Sequence, residues 1–170
     1  EASIEAAKIM ARLFTTLVGD EADEEVGDDA PTTAEDEDDD LERASVLMTR
    51  LLFLLYGDDA GLWEEDLFYR WLESVSPTNI GPALDGLFDL LNESAEQRRK
   101  KYRGNLPALA SRFPHVNGGI FDGTGRVGYS VPPELREVLL DAARFRWTTI
   151  SPAIFGAMFP LVKKKAARRR

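Results

Sequence analysis

Two adjacent carboxylates, Asp58 and Asp59, stand in the stretch GDDAGLW and are the closest approach to a paired-acid site in the chain. Paired catalytic carboxylates need a hydrophobic pocket or a second charge to separate their pKa values, so that one donates while the other accepts. The same pair between two glycines reads equally as a turn and a helix cap, the commoner use of Asp in such company. GTGRVG, from Gly123 to Gly128, matches the dinucleotide fingerprint GxGxxG letter by letter. That fingerprint holds a pyrophosphate only between a buried strand and the start of a helix. Here it follows Ile120-Phe121 and runs into YSVPP, which makes it a flexible loop. His115 is the single histidine, with no cysteine in the chain to share a metal and no evident nucleophile to activate. It reads as a loop or packed residue. The acidic run from Asp20 to Glu42 is dense in carboxylates but lacks the spaced ligands, central Gly and closing Glu of an EF-hand. None of these patterns defines a reaction.

The elements that must position these residues are helical. Val46 to Tyr56, VLMTRLLFLLY, is apolar on every side from Leu51 onward, with four leucines in that part, the pattern of a helix buried all round. It is too short, and too interrupted by Thr49 and Arg50, to cross a bilayer. We expect a compact all-α domain built around this central helix, about 44–57, capped by Asp39 or Asp40 and giving way at Tyr56-Gly57. The first helix presents Ile4, Ala7, Met10, Phe14 and Leu17 on one face, with Ser3 as its N-cap and Gly19 as its end. A third helix covers about 66–75, its start stapled by Leu62 and Trp63. A fourth opens at Pro82 with Gly86 allowing close helix approach. Glu93 to Gly104 reads as a charged connector, and 105–112 as a short helical turn. Asn117-Gly118-Gly119 demands positive φ, which places an irregular loop or small hairpin near 113–130. A helix opens at Pro133, and Ser151-Pro152 starts a last one.

At 170 residues and 44% hydrophobic content the chain suits one domain with a sizeable core. The net charge of −9 is unevenly spread: residues 20–42 hold 14 of the 30 acids and no base, leaving +5 (−9 + 14) elsewhere. We expect residues 19–42 to be a disordered insertion, because they cannot bury enough apolar surface to offset their ordering entropy. The tail, 161–170, carries six of the positive charges, at Lys163, Lys164, Lys165, Arg168, Arg169 and Arg170. With Arg98, Arg99, Lys100, Lys101 and Arg103 of the connector, these are the candidate contacts to DNA phosphate. The absence of cysteine and of a visible signal peptide favours a cytoplasmic address, and no membrane partner is expected.

Three stretches in order, LLFLLYGDDAGLW, FPHVNGGIF and FRWTTISPAIFGAMF, resemble the helical spacer domain of MmeI-like restriction–modification proteins and BREX-type adenine methyltransferases. The residues carrying the last two marks are Asn117, Gly118, Gly119, Phe121, Trp147, Pro152, Phe155 and Gly156. The resemblance covers about residues 44–160 and implies a non-catalytic segment ahead of an S-adenosylmethionine-dependent methyltransferase domain, with the cofactor bound in the parent protein rather than here. The Asn/Asp-Pro-Pro-Tyr/Phe tetrad of amino-methyltransferases, a glycine-rich cofactor strand and a PD-ExK-type nuclease motif are all missing from the sequence. The implied partners are the remaining domains of that parent and duplex DNA backbone. A free-standing helical interaction module is the alternative, and continuation of the reading frame past Arg170 separates the two.

Overall fold

A computed structural model describes residues 1–19, 34–123, 126–151 and 153, with the backbone alone for 34–37. Six α-helices and no strand occur among the described residues: α1 Ala2–Val18, α2 Ala34–Ala60, α3 Leu67–Ser74, α4 Ile80–Leu91, α5 Ala95–Tyr102 and α6 Leu135–Ala143. Single turns of 3-10 helix at Pro77–Asn79, Ala110–Arg112 and Trp147–Thr149 sit between or after them. The all-α expectation holds. The stretch 113–123 is an irregular loop rather than a hairpin, with Gly118 at φ 101° and Gly119 at φ 80°. No described helix is long and apolar enough to cross a membrane.

α2 is the axis. Leu47, Met48, Leu51, Leu52, Leu54 and Leu55 are all buried, so its second half contributes core to several sides at once. α1 and α6 pack together and against α2, with Ala6 and Leu13 of α1 inside. α3 lies between α2 and α6, and α4 adds Leu84, Leu87, Phe88, Leu90 and Leu91 to the same core.

Several boundaries differ from those read in the sequence, each for a physical reason. α2 begins at Ala34, so Asp39 and Asp40 are helical residues and not caps, and the acidic stretch is ordered from Ala34 onward. Its acids occupy the first turns, where the positive end of the helix dipole favours them, and the buried half supplies the packing that holds the helix. The part of the expected insertion at 20–33 lies outside the described residues, as do the tail and all but Ala153 of the expected last helix. α2 also runs through Gly57 to Ala60, and the Trp63 indole packs on Gly57, where any side chain would collide with it. α1 starts at Ala2, which puts Ser3 inside the helix. Leu62 is exposed, so Trp63 alone anchors the approach to α3. The charged connector is α5, closed at its start by a capping box in which Ser94 and Gln97 satisfy each other's backbone N–H. Only Ala110–Arg112 of the expected 105–112 helix forms. α4 opens at Ile80 and α6 at Leu135, two residues to either side of the expected prolines.

Close approach in α4 falls on Gly81 and not on Gly86. A Cβ at Gly81 would collide with the backbone carbonyl oxygen of Gly128, whereas one at Gly86 meets nothing within 4 Å. Gly81→Ala is therefore expected to destabilise the fold by about 1–3 kcal/mol, the cost of forcing packed backbone apart. Gly86→Ala should stabilise it by about 0.5–1 kcal/mol through helix propensity. Thermal melts of the two variants should shift in opposite directions, and equal shifts would contradict the contact.

Candidate functional site

The Asp58–Asp59 pair sits in the last turn of α2, and the two carboxylates face different partners. Asp58 is buried. Its Oδ1 accepts from the Trp63 indole N–H at 2.7 Å and from the Phe68 backbone N–H at 2.7 Å, while Oδ2 accepts from the Tyr69 N–H at 3.0 Å. Phe68 and Tyr69 are the second and third residues of α3, whose first-turn N–H groups have no partner within the helix. Asp66, the residue just before that helix, has a left-handed φ of 60° and makes no side-chain cap bond. Asp58 therefore caps α3 from the preceding helix. Burial pushes its carboxyl above the usual carboxylate range, and the three N–H donors pull it back. Asp59 is exposed, and its Oδ2 accepts from both the backbone N–H (2.9 Å) and the hydroxyl (2.6 Å) of Thr148. The pair serves as two clamps, the cap-and-turn reading of the sequence.

Arg50, the charge that interrupts the central apolar run, is buried and closes a third joint. Its Nε donates to the Ile120 carbonyl at 2.9 Å and one terminal nitrogen to the Asp122 carbonyl at 3.0 Å, and its guanidinium lies over the Phe88 ring at 5.2 Å. Burial lowers its pKa from the usual arginine value, against the pull of Asp85, Asp122 and Asp89. The guanidinium ties the Asn117-Gly118-Gly119 loop to α2. Phe121 follows that loop into the core, 5.8 Å from the Phe53 ring and 5.6 Å from Phe88. Trp63 completes the aromatic seam, edge-on to Phe113 at 5.1 Å. Trp147 is fully buried and its indole N–H donates to the Ala142 carbonyl at 3.0 Å.

The fingerprint-like loop also binds an anion, but one of the chain's own. The backbone N–H groups of Val127 and Gly128 donate to the two carboxylate oxygens of Asp85 at 2.7 and 2.8 Å, and Arg126 pairs with Asp89 at 2.7 Å. Successive N–H groups make an anion-binding concavity. Here a side chain from α4 fills it, which leaves those two donors engaged. His115 is an exposed loop residue. Among the described residues no group of three His, Asp or Glu side chains is arranged to hold a metal ion.

The candidate phosphate contacts separate into three sets. Arg98 is turned inward, donating to the Leu90 carbonyl at 2.8 Å and the Phe113 carbonyl at 2.7 Å. It fastens α5 to the core edge and is not free for an external anion. Lys100 and Lys101 pair with Glu96 at 3.3 Å and Glu93 at 3.0 Å, the latter contact raising the lysine pKa. Arg99 and Arg103 are exposed on and just beyond α5. Lys163, Lys164, Lys165, Arg168, Arg169 and Arg170 lie outside the described residues, as do Pro152, Phe155 and Gly156. A groove of about 680 Å³ opens between the end of α1, the first half of α2 and residues 126–131, with Val18, Val46 and Val131 among its apolar lining and Asp40, Glu42 and Arg43 among its charges.

Sequence reasoning assigned no role to Arg50, Asp85 or Gly81 and took Gly57 for a helix end, whereas α2 continues through it. The signal for the first two was present as a charge inside an otherwise apolar helix face, which requires an internal partner.

The buried charges Arg50, Asp58 and Asp85 of this helical body close joints between its own elements. Residues 42–121 match the family model described as "MmeI, helicase spacer domain". A solved structure of the type IIL restriction–modification enzyme MmeI in complex with DNA is similar over 90% of this chain, at 28% identity and a TM-score of 0.65. The chain spans 18% of the length of that protein. No curated protein matches. The MmeI-like part of the resemblance read from the residues is thus supported by both family pattern and fold. The central-helix and NGG marks fall inside the matched residues, while Trp147 and the marks after it fall beyond them.

Proposed function

We propose that this chain is a non-catalytic helical spacer of a class I S-adenosylmethionine-dependent adenine-specific DNA methyltransferase, in a restriction–modification or phage-defence system of the MmeI or BREX type. It acts in the cytoplasm. In that role it fixes the catalytic domain relative to DNA and touches the duplex only at its backbone. The cofactor belongs to the remainder of the parent protein, and the partners are that remainder and duplex DNA. One observation carries the reading. Asp58, Asp59 and Phe121 within the family-marking stretches, with Arg50 just ahead of the first, hold α2 to α3, to the Trp147 turn and to the 113–123 loop. Likeness to a protein solved on DNA supports the choice of partner.

The basic residues on hand suit phosphate contact and not base reading, since among the described residues no aromatic stacking platform or groove-entering helix accompanies them. Arg99, Lys100, Arg103 and the tail from Lys163 to Arg170 are the ones we assign to it. The acids at the start of α2 oppose this over about a Debye length, roughly 10 Å at 0.1 M salt. Fluorescence anisotropy with labelled duplexes should show weak, sequence-blind binding at low salt. That binding should disappear near physiological ionic strength, about 0.15 M, and removal of Lys163–Arg170 should eliminate most of it. Binding that survives the truncation and discriminates between duplex sequences would overturn the passive role.

A further inference from the structure

Resting on the spacer reading, we propose that the groove between the end of α1, the first half of α2 and residues 126–131 is a docking face for another region of the parent protein, one that presents basic side chains beside apolar ones. Six large hydrophobic residues are exposed among the described residues. Three of them gather here: Val18 and Val46 line the groove, and Tyr129 stands in the turn between the lining residues Val127 and Ser130. A single exposed apolar side chain is ordinary, whereas a gathered set marks an interaction face. Tyr129 is 82% exposed, yet its main chain is fixed. The Ser130 N–H closes the turn onto the Val127 carbonyl at 3.1 Å, Asp85 holds the N–H groups of Val127 and Gly128, and the Gly128 carbonyl lies against Gly81. A tyrosine held in this way offers contact area at little ordering cost, and tyrosine is enriched in protein interfaces.

The rim sets the charge of the partner. Asp39, Asp40 and Glu42 stand on it and are exposed. Of the arginines beside them, Arg126 is taken by Asp89 and Arg50 by the loop carbonyls of Ile120 and Asp122. Among the described lining residues that leaves Arg43 to offset three carboxylates. Lysine or arginine on the partner complements such a rim, and like charge is repelled by it. Residues 20–33, which join α1 to α2, carry seven acids and no base, so the rim disfavours them as its cover. The chain spans 18% of the length of the matched restriction–modification enzyme, so under the spacer reading most of the parent is available to supply the docking region.

The test compares hydrogen exchange in residues 1–170 with exchange in the protein encoded by the full reading frame. Amides of residues 126–131 should exchange at least about tenfold more slowly in the longer protein, with those of α4 unchanged. Tyr129→Ser and Val46→Ser, both at exposed positions, should each remove most of the added protection while the fold persists. Asp40→Lys combined with Glu42→Lys should do the same through charge. Equal exchange in the two proteins, or protection that these variants leave intact, would overturn the docking face and leave the spacer reading standing. Protection already present in residues 1–170 that falls when 20–33 are replaced by a Gly/Ser linker would show the chain covering its own groove. Protection that rises with protein concentration would show a second copy there, and either result overturns the proposal. A reading frame that ends at Arg170 would overturn the spacer reading, and the docking face with it.

Discussion

Asp58→Ala is expected to destabilise the fold by about 3–5 kcal/mol, because it strands three N–H donors away from water at roughly 1–3 kcal/mol each, short of full additivity. Those donors are the Trp63 indole N–H and the backbone N–H groups of Phe68 and Tyr69. Phe68 is fully buried and Trp63 nearly so, which keeps water from replacing the carboxylate. The loss also removes the cap of α3 and the hold on the indole that packs against Gly57. Asp58→Asn should fall between wild type and alanine. Its carbonyl oxygen accepts from one side, but its NH₂ group turns a donor toward a donor. Urea unfolding monitored by far-UV circular dichroism gives both values. A midpoint for Asp58→Ala indistinguishable from wild type would show that the carboxylate is not a clamp and would reopen its reading as a reactive group.

Trp147→Ala is expected to cost a similar amount, about 3–5 kcal/mol, through the cavity left by a fully buried indole. Its ring stands edge-on to Phe145 at 5.0 Å, and its N–H satisfies the Ala142 carbonyl near the end of α6. Both contacts disappear together, and the turn that carries Thr148 loses its inner anchor. For a chain of this size the loss corresponds to a fall in melting temperature of roughly 10 °C. Trp147→Phe keeps most of the volume and should recover most of the stability, losing only the indole bond to a carbonyl that still accepts from the Phe145 N–H. Differential scanning calorimetry distinguishes the two. Equal melting temperatures for Trp147→Phe and Trp147→Ala would mean that cavity volume is not the source of the effect.

Local periodicity made much of this fold legible. The apolar faces of α3, α4 and α6 follow the spacing read in the sequence, and the buried run in α2 stands out by its leucines, whereas α1 buries Ala6 and Leu13 and leaves Ile4 and Ala7 of the expected face exposed. α5 has no apolar face and no buried residue, so periodicity says nothing about it; its capping box, Ser94 with Gln97, was the readable sign. The first turns of α2 were misread because composition argues for disorder in isolation, whereas here they continue a helix held by its packed second half. The roles of Asp58, Asp59 and Arg50 were not legible for a different reason. Their partners stand 10, 89 and 70 residues away, and no local pattern names them. GTGRVG shows the converse case. The motif was rejected for nucleotide binding on context, yet two of its N–H groups do bind a carboxylate, that of Asp85.

The central claim is that this chain supplies geometry to a methyltransferase and no cofactor site of its own. A paired calorimetric titration with S-adenosylmethionine tests it most directly, one arm on residues 1–170 and the other on the protein encoded by the full reading frame, the longer protein wherever that frame continues past Arg170. The account predicts no saturable heat from the first and a saturable isotherm from the second. A saturable isotherm from residues 1–170, or none from the longer protein, would contradict it.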